Sequence, residues 1–367
     1  MPNTLSNTQY DVLVIGAGPA GTTIANHLAD FGYRVALIEK ATFPRPHIGL
    51  SLTSGIHHWL KILDIEKQVD QLNCKRALKS TVLWSSNGPL IKTFEKENAG
   101  FHLDRGAFDE LLVNECRQKG VEIIQPGLLK TVTQRESGLW DATVLFENKE
   151  HQISSTYIVE ATGRKSIIKT KKIAYQPKLV ATFAYWDLKH LKSDSSFIEA
   201  GEDYWFWGAP LSETNFVLCV FSDPSKVKEA TSVNEFYTTA ISKSTFSEEV
   251  LNNGIQGEIT VCDATPYYDD NVISEHFIKI GDSAYTMDPI SSQGVQKAIK
   301  SGVQGAIVVN SILKKNNAAV AISYYKNLIA TEVKKNKRWS ADFYNEQSLF
   351  KNSSFWKSRK KKPLPLI

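Results

Sequence analysis

Gly16, Gly18 and Gly21 stand at G-x-G-x-x-G spacing inside YDVLVIGAGPAGTTIANHLADFGYRVALIEK, residues 10–40. Gly16 permits a tight turn, Gly18 lets the backbone approach a diphosphate, and Gly21 lets a helix lie close to a strand. Pro19 and Ala20 open that helix, whose free N–H groups and positive dipole end favour an anion. Glu39, with Lys40 after it, closes the unit and is placed to accept hydrogen bonds from a ribose diol. Strand, helix, second strand and terminal acid together point to dinucleotide binding.

Several elements must position these residues. Residues 10–15 read as a buried parallel strand, residues 20–30 as a helix with Ala20, Ile24, Ala25 and Leu28 inward, and residues 34–38 as a second strand. Residues 101–124 place Arg105 at a helix start, with Phe108, Leu111, Leu112 and Cys116 inward, and then a strand. Residues 157–169 read as a strand ending in A-T-G-R-x-S, where Ala161 and Gly163 make a second glycine turn. Residues 277–313 read as a strand, a Gly-Asp step, a loop and a long helix with apolar positions 295, 298, 299, 303, 306 and 307. Between these lies a strand-rich region, with candidate strands at 179–187, 203–210, 215–222 and 257–263. In EDYWFWGAPL, residues 202–211, strand alternation puts Trp205 and Trp207 on one face and Tyr204 and Phe206 on the other. Residues 315–356 read as terminal helices.

The composition is that of a globular protein: 42% hydrophobic, 10% aromatic and 22% charged residues in 367. The net charge of +4 is modest, and Lys357, Arg359, Lys360, Lys361 and Lys362 crowd the C-terminus, which reads as a solvated tail. Nothing indicates a nucleic-acid partner. Cys74, Cys116, Cys219 and Cys262 form no C-x-x-C pair, so no metal site is expected. With no signal peptide and no long apolar segment, the expectation is a cytoplasmic protein away from membranes.

The ordered set G-x-G-x-x-G…E, x-D-R-x-x-F-D, A-T-G-R-x-S and G-D-x-A…D-P-x-x-x-x-G resembles the FAD-dependent monooxygenases of the para-hydroxybenzoate hydroxylase superfamily over about residues 8–315. The resemblance implies an α/β fold, a Rossmann-like FAD-binding domain (GR2-type) interleaved with a β-sheet substrate domain and followed by C-terminal helices. It places FAD binding in residues 1–75, 100–168 and 277–315, and substrate binding in 76–99 and 169–276. Helices would fill 316–356 and a flexible basic tail 357–367. By the same resemblance Gly16, Gly18 and Gly21 hold the pyrophosphate, Glu39 the adenosine ribose, and Arg105 the phosphate or ribose. Asp282 would bind the ribityl chain. The helix after Pro289 and Gly294, starting near Val295, would point its positive end at the isoalloxazine, where it stabilises the anion of a reduced flavin.

FPRPHIGLSL (43–52) is similar to the F-P-R-x-H-I-G-E-S-L segment of flavin-dependent halogenases, in Arg45, His47 and Ser51, with Leu50 in place of the glutamate. W-x-W-x-x-P, with Trp205, Trp207 and Pro210, resembles the W-x-W-x-I-P signature of that branch, with Ala209 in place of isoleucine. Halogenases also need a lysine between flavin and substrate, for which Lys75 and Lys79 are the candidates. Gln293 before Gly294 departs from the halogenase turn. DPISSQGVQKA is closer to the flavoproteins (LodB/GoxB-like) that mature cysteine tryptophylquinone in lysine and glycine oxidases. The resemblance implies an FAD monooxygenase acting on an indole, with a peptidyl tryptophan of a partner oxidase as substrate. Electrons would come from NAD(P)H directly or from a separate flavin reductase. The alternatives are a tryptophan halogenase acting on a small aromatic substrate, a geranylgeranyl-reductase-like FAD enzyme, and a non-catalytic FAD-fold protein.

Overall fold

The computed structural model describes residues 8–45, 47–49, 51–72, 74–191, 195–315 and 317–360. Leu50 and the tail residues Lys361 and Lys362 lie outside the described residues.

Two large sheets organise the chain. In the first, the strand Thr8–Ile15 lies between Val35–Ile38 and Lys149–Glu160, parallel to both. Glu122–Ile124 and Phe277–Lys279 extend the parallel set, and Trp140–Phe146 with Gly127–Gln134 adds an antiparallel flank. Val12, Leu13, Val14 and Ile15 are all buried, which is why the run is continuously apolar rather than alternating. The helix Pro19–Asp30 covers one face with Ile24, Ala25 and Leu28, and its Pro19 suits the first turn, where no N–H partner is needed. The long helix Gly294–Lys315 packs against it. A Cβ at Gly302 would come within 2.8 Å of the Ala20 carbonyl oxygen, so glycine sets the helix separation.

The second sheet runs in the order 254–256, 180–188, 215–222, 204–210, 195–200, 79–83, 90–93, with 260–263 also on 180–188. It is antiparallel except where 79–83 joins 195–200. The strands expected from aromatic alternation are present, with shifts of up to three residues at their starts. One face carries Trp205, Trp207, Phe183 and Phe221, packed with Trp84, Tyr344 and Trp356. The other carries Tyr204, Phe206, Leu218 and Val220, covered by the helices Val233–Ile241 and Glu248–Asn253, which the residue pattern did not announce. A small third sheet joins Ser51–Leu52, Gly100–Leu103 and Cys74–Ala77.

The helices Ala318–Glu346 and Ser354–Arg359 complete the chain. Residues 357–359, expected in a flexible tail, belong to this last helix. Arg359 is only 3% exposed because its guanidinium pairs with Asp223 at 2.7 Å, donates to the Lys178 carbonyl at 2.9 Å and lies 3.7 Å from the Phe355 ring. Among the described residues no helix is long and apolar enough to cross a membrane.

A buried ion network ties the adjacent strands Lys149–Glu160 and Phe277–Lys279 of the first sheet to Asp269 and to the turn after residue 160. Lys279 Nζ donates to Asp269 Oδ2 at 2.9 Å, to the Ile168 carbonyl at 3.0 Å and to the Thr170 hydroxyl, and lies 3.8 Å from Glu160 Oε2. Glu160 also accepts the Ile167 and Ile168 N–H groups at 2.8 and 3.1 Å. Removing the cation leaves two buried carboxyl groups without it. Lys279→Met, which keeps most of the side-chain volume, should therefore lower the unfolding free energy by about 3–5 kcal/mol. Urea unfolding of both proteins measures this, and a loss below about 1 kcal/mol would contradict the assignment.

Candidate active site

The strand ends of the first sheet and the inner face of the second enclose a cavity of about 530 Å³. Its lining brings together nearly all the residues expected to hold the cofactor. Gly16, Gly18, Pro19 and Ala20 come from the first turn, and Glu39 and Lys40 from the second strand end. Arg45, His47, Ser51 and Arg105 form one side, Ala161 and Gly163 another, and Asp282, Pro289, Gly294 and Val295 a third. Gly21 stands behind the turn instead, where a Cβ would lie 1.8 Å from the Gly16 carbonyl oxygen.

Local hydrogen bonds explain how each loop is set. Glu39 Oε2 accepts the Ala17 N–H and Oε1 the Ala41 N–H, both at 2.9 Å, which joins the glycine turn to the second strand. Each oxygen keeps a lone pair for a further donor. Arg105 grips Asp109 through two bonds of 2.9 Å and donates to the Ile48 carbonyl at 3.1 Å, so the 47–49 segment lies over it. Gly49 has φ +104, and a Cβ there would meet Arg105 Nη1 at 2.8 Å. His47 bonds the Ile48 carbonyl through Nδ1 at 2.6 Å, while burial and the neighbouring Arg105 push its imidazole below the usual range toward the neutral form. Asp282 receives Lys297 Nζ at 2.6 Å, and that ammonium also donates to the Tyr285 carbonyl at 2.7 Å. Burial would raise the Asp282 carboxyl, but Lys297 outweighs it and holds the group ionised below its ordinary value.

The second sheet supplies an aromatic and thiol wall. Trp207, Cys219, Phe221, Ala181 and Cys262 line the cavity. Trp207 lies opposite Cys219, and Trp205 opposite Phe221, in the strand ladder. Trp205 itself does not reach the cavity. It is 1% exposed, stacks on Phe221 at 3.8 Å and 9°, and meets Trp84 edge-on at 6.5 Å. Of the two tryptophans expected on one strand face, one thus lines the cavity and the other packs beside it. Neither candidate lysine lines the cavity. Lys79 lines a separate pocket of about 180 Å³ with Phe197, Phe216 and Phe246, and Lys75 pairs with Glu213 at 2.9 Å.

Residue reasoning missed several cavity residues. Leu128 and Leu129 sit on an outer strand with no clear alternation, and Cys219, Cys262 and Asp263 belong to strands of the expected substrate half without any signal that singles them out. Lys297 was visible only as part of the Q-G-x-x-K-A string.

A family described as FAD binding domain matches residues 9–315. The chain belongs to that family. Tryptophan 2-halogenase of Chondromyces crocatus is 29% identical over 372 residues, covering 94% of this chain and 69% of the relative. The FAD-dependent oxidoreductase LodB of Marinomonas mediterranea is 26% identical, over 95% of this chain and 96% of its own. Among solved structures, the chondrochloren halogenase CndH superposes with TM-score 0.90 at 22% identity, over 98% of this chain and 87% of that one. The peptidyl tryptophan dihydroxylase QhpG superposes with TM-score 0.81 at 22% identity, over 98% and 80%. The protein is therefore a flavoprotein with the FAD-binding, halogenase-like fold, within the branch to which the F-P-R-x-H-I-G and W-x-W-x-x-P segments point.

The residues present fit FAD. Gly163 and Gly294 face open space with nothing within 4 Å of a notional Cβ, the helix starts at Pro19 and Gly294 reach the cavity, and Glu39 stands at the second strand end. Gly16, Gly18 and Pro19 would take the pyrophosphate, Glu39 the ribose and Asp282 the ribityl hydroxyls. Asp282→Ala strands Lys297 in the core, so FAD affinity and apoprotein stability should fall together, the latter by about 3 kcal/mol. Adding Lys297→Met should restore stability but not FAD affinity. Flavin-fluorescence titration beside thermal unfolding separates the two, and recovery of both would remove Asp282 from the cofactor site.

Proposed function

We propose that this flavoprotein is an FAD-dependent monooxygenase that hydroxylates an indole ring, with a peptidyl tryptophan of a quinone-cofactor oxidase precursor as substrate. The placement of the inner wall carries this reading: Trp207, Phe221 and Cys219 face the cavity, whereas Lys79 lines another pocket and Lys75 pairs with Glu213. Among the described residues the lysines that line the cavity, Lys40 and Lys165, follow strands of the first sheet rather than the aromatic wall. The near full-length match to LodB and the fold shared with the peptidyl tryptophan dihydroxylase QhpG support the same reading.

Bound FAD supplies two electrons from an external reductant and activates oxygen. One oxygen atom replaces a ring hydrogen as hydroxyl, and the other leaves as water. The chain's own residues bind, orient and exclude. The Trp207 ring offers a flat face for an indole. Phe221 and Ala181 keep water from that side. The helix beginning at Gly294 turns its positive end toward the cavity, where it favours a developing anion.

Halogenation is the second reading, favoured by the 29% identity to a tryptophan 2-halogenase. FAD-loaded protein, given an electron source, oxygen, chloride and either a tryptophan-containing precursor protein or free tryptophan, distinguishes them by product mass. We expect added oxygen on the protein-bound tryptophan, and chlorine on either substrate would overturn the proposal. Lys79→Ala should leave turnover within about twofold, while Trp207→Ala should lower kcat/KM by about 2- to 10-fold, the value of one aromatic contact.

A further inference from the structure

Asp288 stands where the connection from residue 280 to the helix at Gly294 passes the cavity, and two elements hold it. Its Oδ1 accepts the Ile290 N–H at 3.1 Å and the Tyr344 hydroxyl at 3.2 Å. Tyr344 comes from the helix Ala318–Glu346, is fully buried, and packs against Trp84 and Trp356. Asp288 lines the cavity although it is only 4% exposed. Among the described residues no cation lies within ion-pair distance of it. The charged and titratable groups facing it are Tyr344, Tyr175 and Arg359. Tyr175 already donates to the Thr286 carbonyl at 2.8 Å, and Arg359 is already paired with Asp223 at 2.7 Å.

We propose that Asp288 is a proton-carrying residue of the flavin site and that Tyr344, reaching in from the C-terminal helix, is the positioning residue that sets when the proton is held. The bonds at Oδ1 survive in both states, because a carboxylic acid's carbonyl oxygen accepts as a carboxylate does. The neutral form places its hydroxyl on Oδ2 and can give that proton to an oxyanion or nitrogen acceptor in the cavity, becoming a carboxylate that water reprotonates. The ionised form puts an unpaired negative charge beside the cavity and opposes any anion there. Burial raises the carboxyl to about 6, against the opposing Ile290 and Tyr344 hydrogen bonds, so both forms are accessible near neutral pH.

The inference concerns the FAD site and stands whichever product is formed. Its test is a pH titration of the bound-flavin absorbance in FAD-loaded wild type, Asp288→Asn and Tyr344→Phe. We expect a one-proton step at or above pH 6 in wild type, since the filled cavity buries the carboxyl further, and no such step in Asp288→Asn. Tyr344→Phe removes a donor to the carboxylate and should move the step to higher pH. In the apoprotein, the folded carboxyl is raised from 3.8, so its stabilising contribution is full below that value and is lost as pH rises through about 6. The difference in thermal stability between wild type and Asp288→Asn should follow that course. A step that persists in Asp288→Asn, or a midpoint that Tyr344→Phe leaves in place or lowers, overturns the proposal. If Asp288→Asn does not fold, the direction of the Tyr344→Phe shift decides.

Discussion

The approach of the helix Pro19–Asp30 to the end of the strand Thr8–Ile15 is the constraint on which the other features depend. At Gly21 the Gly16 carbonyl oxygen occupies the place of a side chain, and at Gly302 the Ala20 carbonyl does much the same from the opposite direction. The helix is thus caught between the sheet and the helix Gly294–Lys315, with backbone on both sides and no room to slide. Because both helices begin at the cavity, two sets of unpaired N–H groups and two positive dipole ends are directed at one ligand. A preference for an anionic ligand follows from that arrangement before any side chain is considered.

Side chains then fix the loops, and they do so by one buried cation each. Arg105 with Asp109 sets the 47–49 segment, Lys297 with Asp282 sets the connection after residue 280, and Lys279 with Glu160 and Asp269 sets the turn after residue 160. All three cations are at most 5% exposed. Buried ion pairs contribute little net stability, since desolvation offsets their attraction, but they penalise any other arrangement of the same groups. Three irregular segments are held in one relative geometry at the point where a cofactor must be gripped. Asp288 is the exception in this ring, because its partners are a phenol and an amide rather than a cation.

The nucleotide half was legible because its constraints are local. A glycine at φ +104, a proline opening a helix and an acid at a strand end are each written within a few residues. The parallel core strands were equally plain from their unbroken apolar runs. The strand alternation of Trp205 and Trp207 also placed them on one face, yet could not say which ring meets the cavity, because that depends on Trp84, Trp356 and Tyr344 from distant segments. For the same reason Lys79 looked suitable by position in the chain, whereas pairing of its strand with Ser195–Ala200 delivers it to another pocket. The helices at 233–253 are short and were absorbed into a region read as strands. Arg359 sat in a run of basic residues that looked like solvent-exposed tail, and only Asp223, far off in sequence, makes it a buried residue.

The pairing of the two tryptophans gives the C-terminal helices a part in the site. Trp207 can offer an indole-sized surface only if the strand behind it does not move. That strand is held at Trp205 by Phe221 and Trp84, and Trp84 in turn donates to the Phe343 carbonyl at 3.0 Å and meets Trp356 edge-on at 5.1 Å. Trp356 donates to the carbonyls of Gly201 and Glu202, each at 3.0 Å, immediately before the Trp205 strand begins. The aromatic layer is therefore closed by residues 343–356, and Tyr344 continues from that layer to the Asp288 carboxyl. A shift of the terminal helices would disturb the aromatic wall through Trp84 and the turn at Asp288 through Tyr344 at once, so the two sides of the cavity share one support.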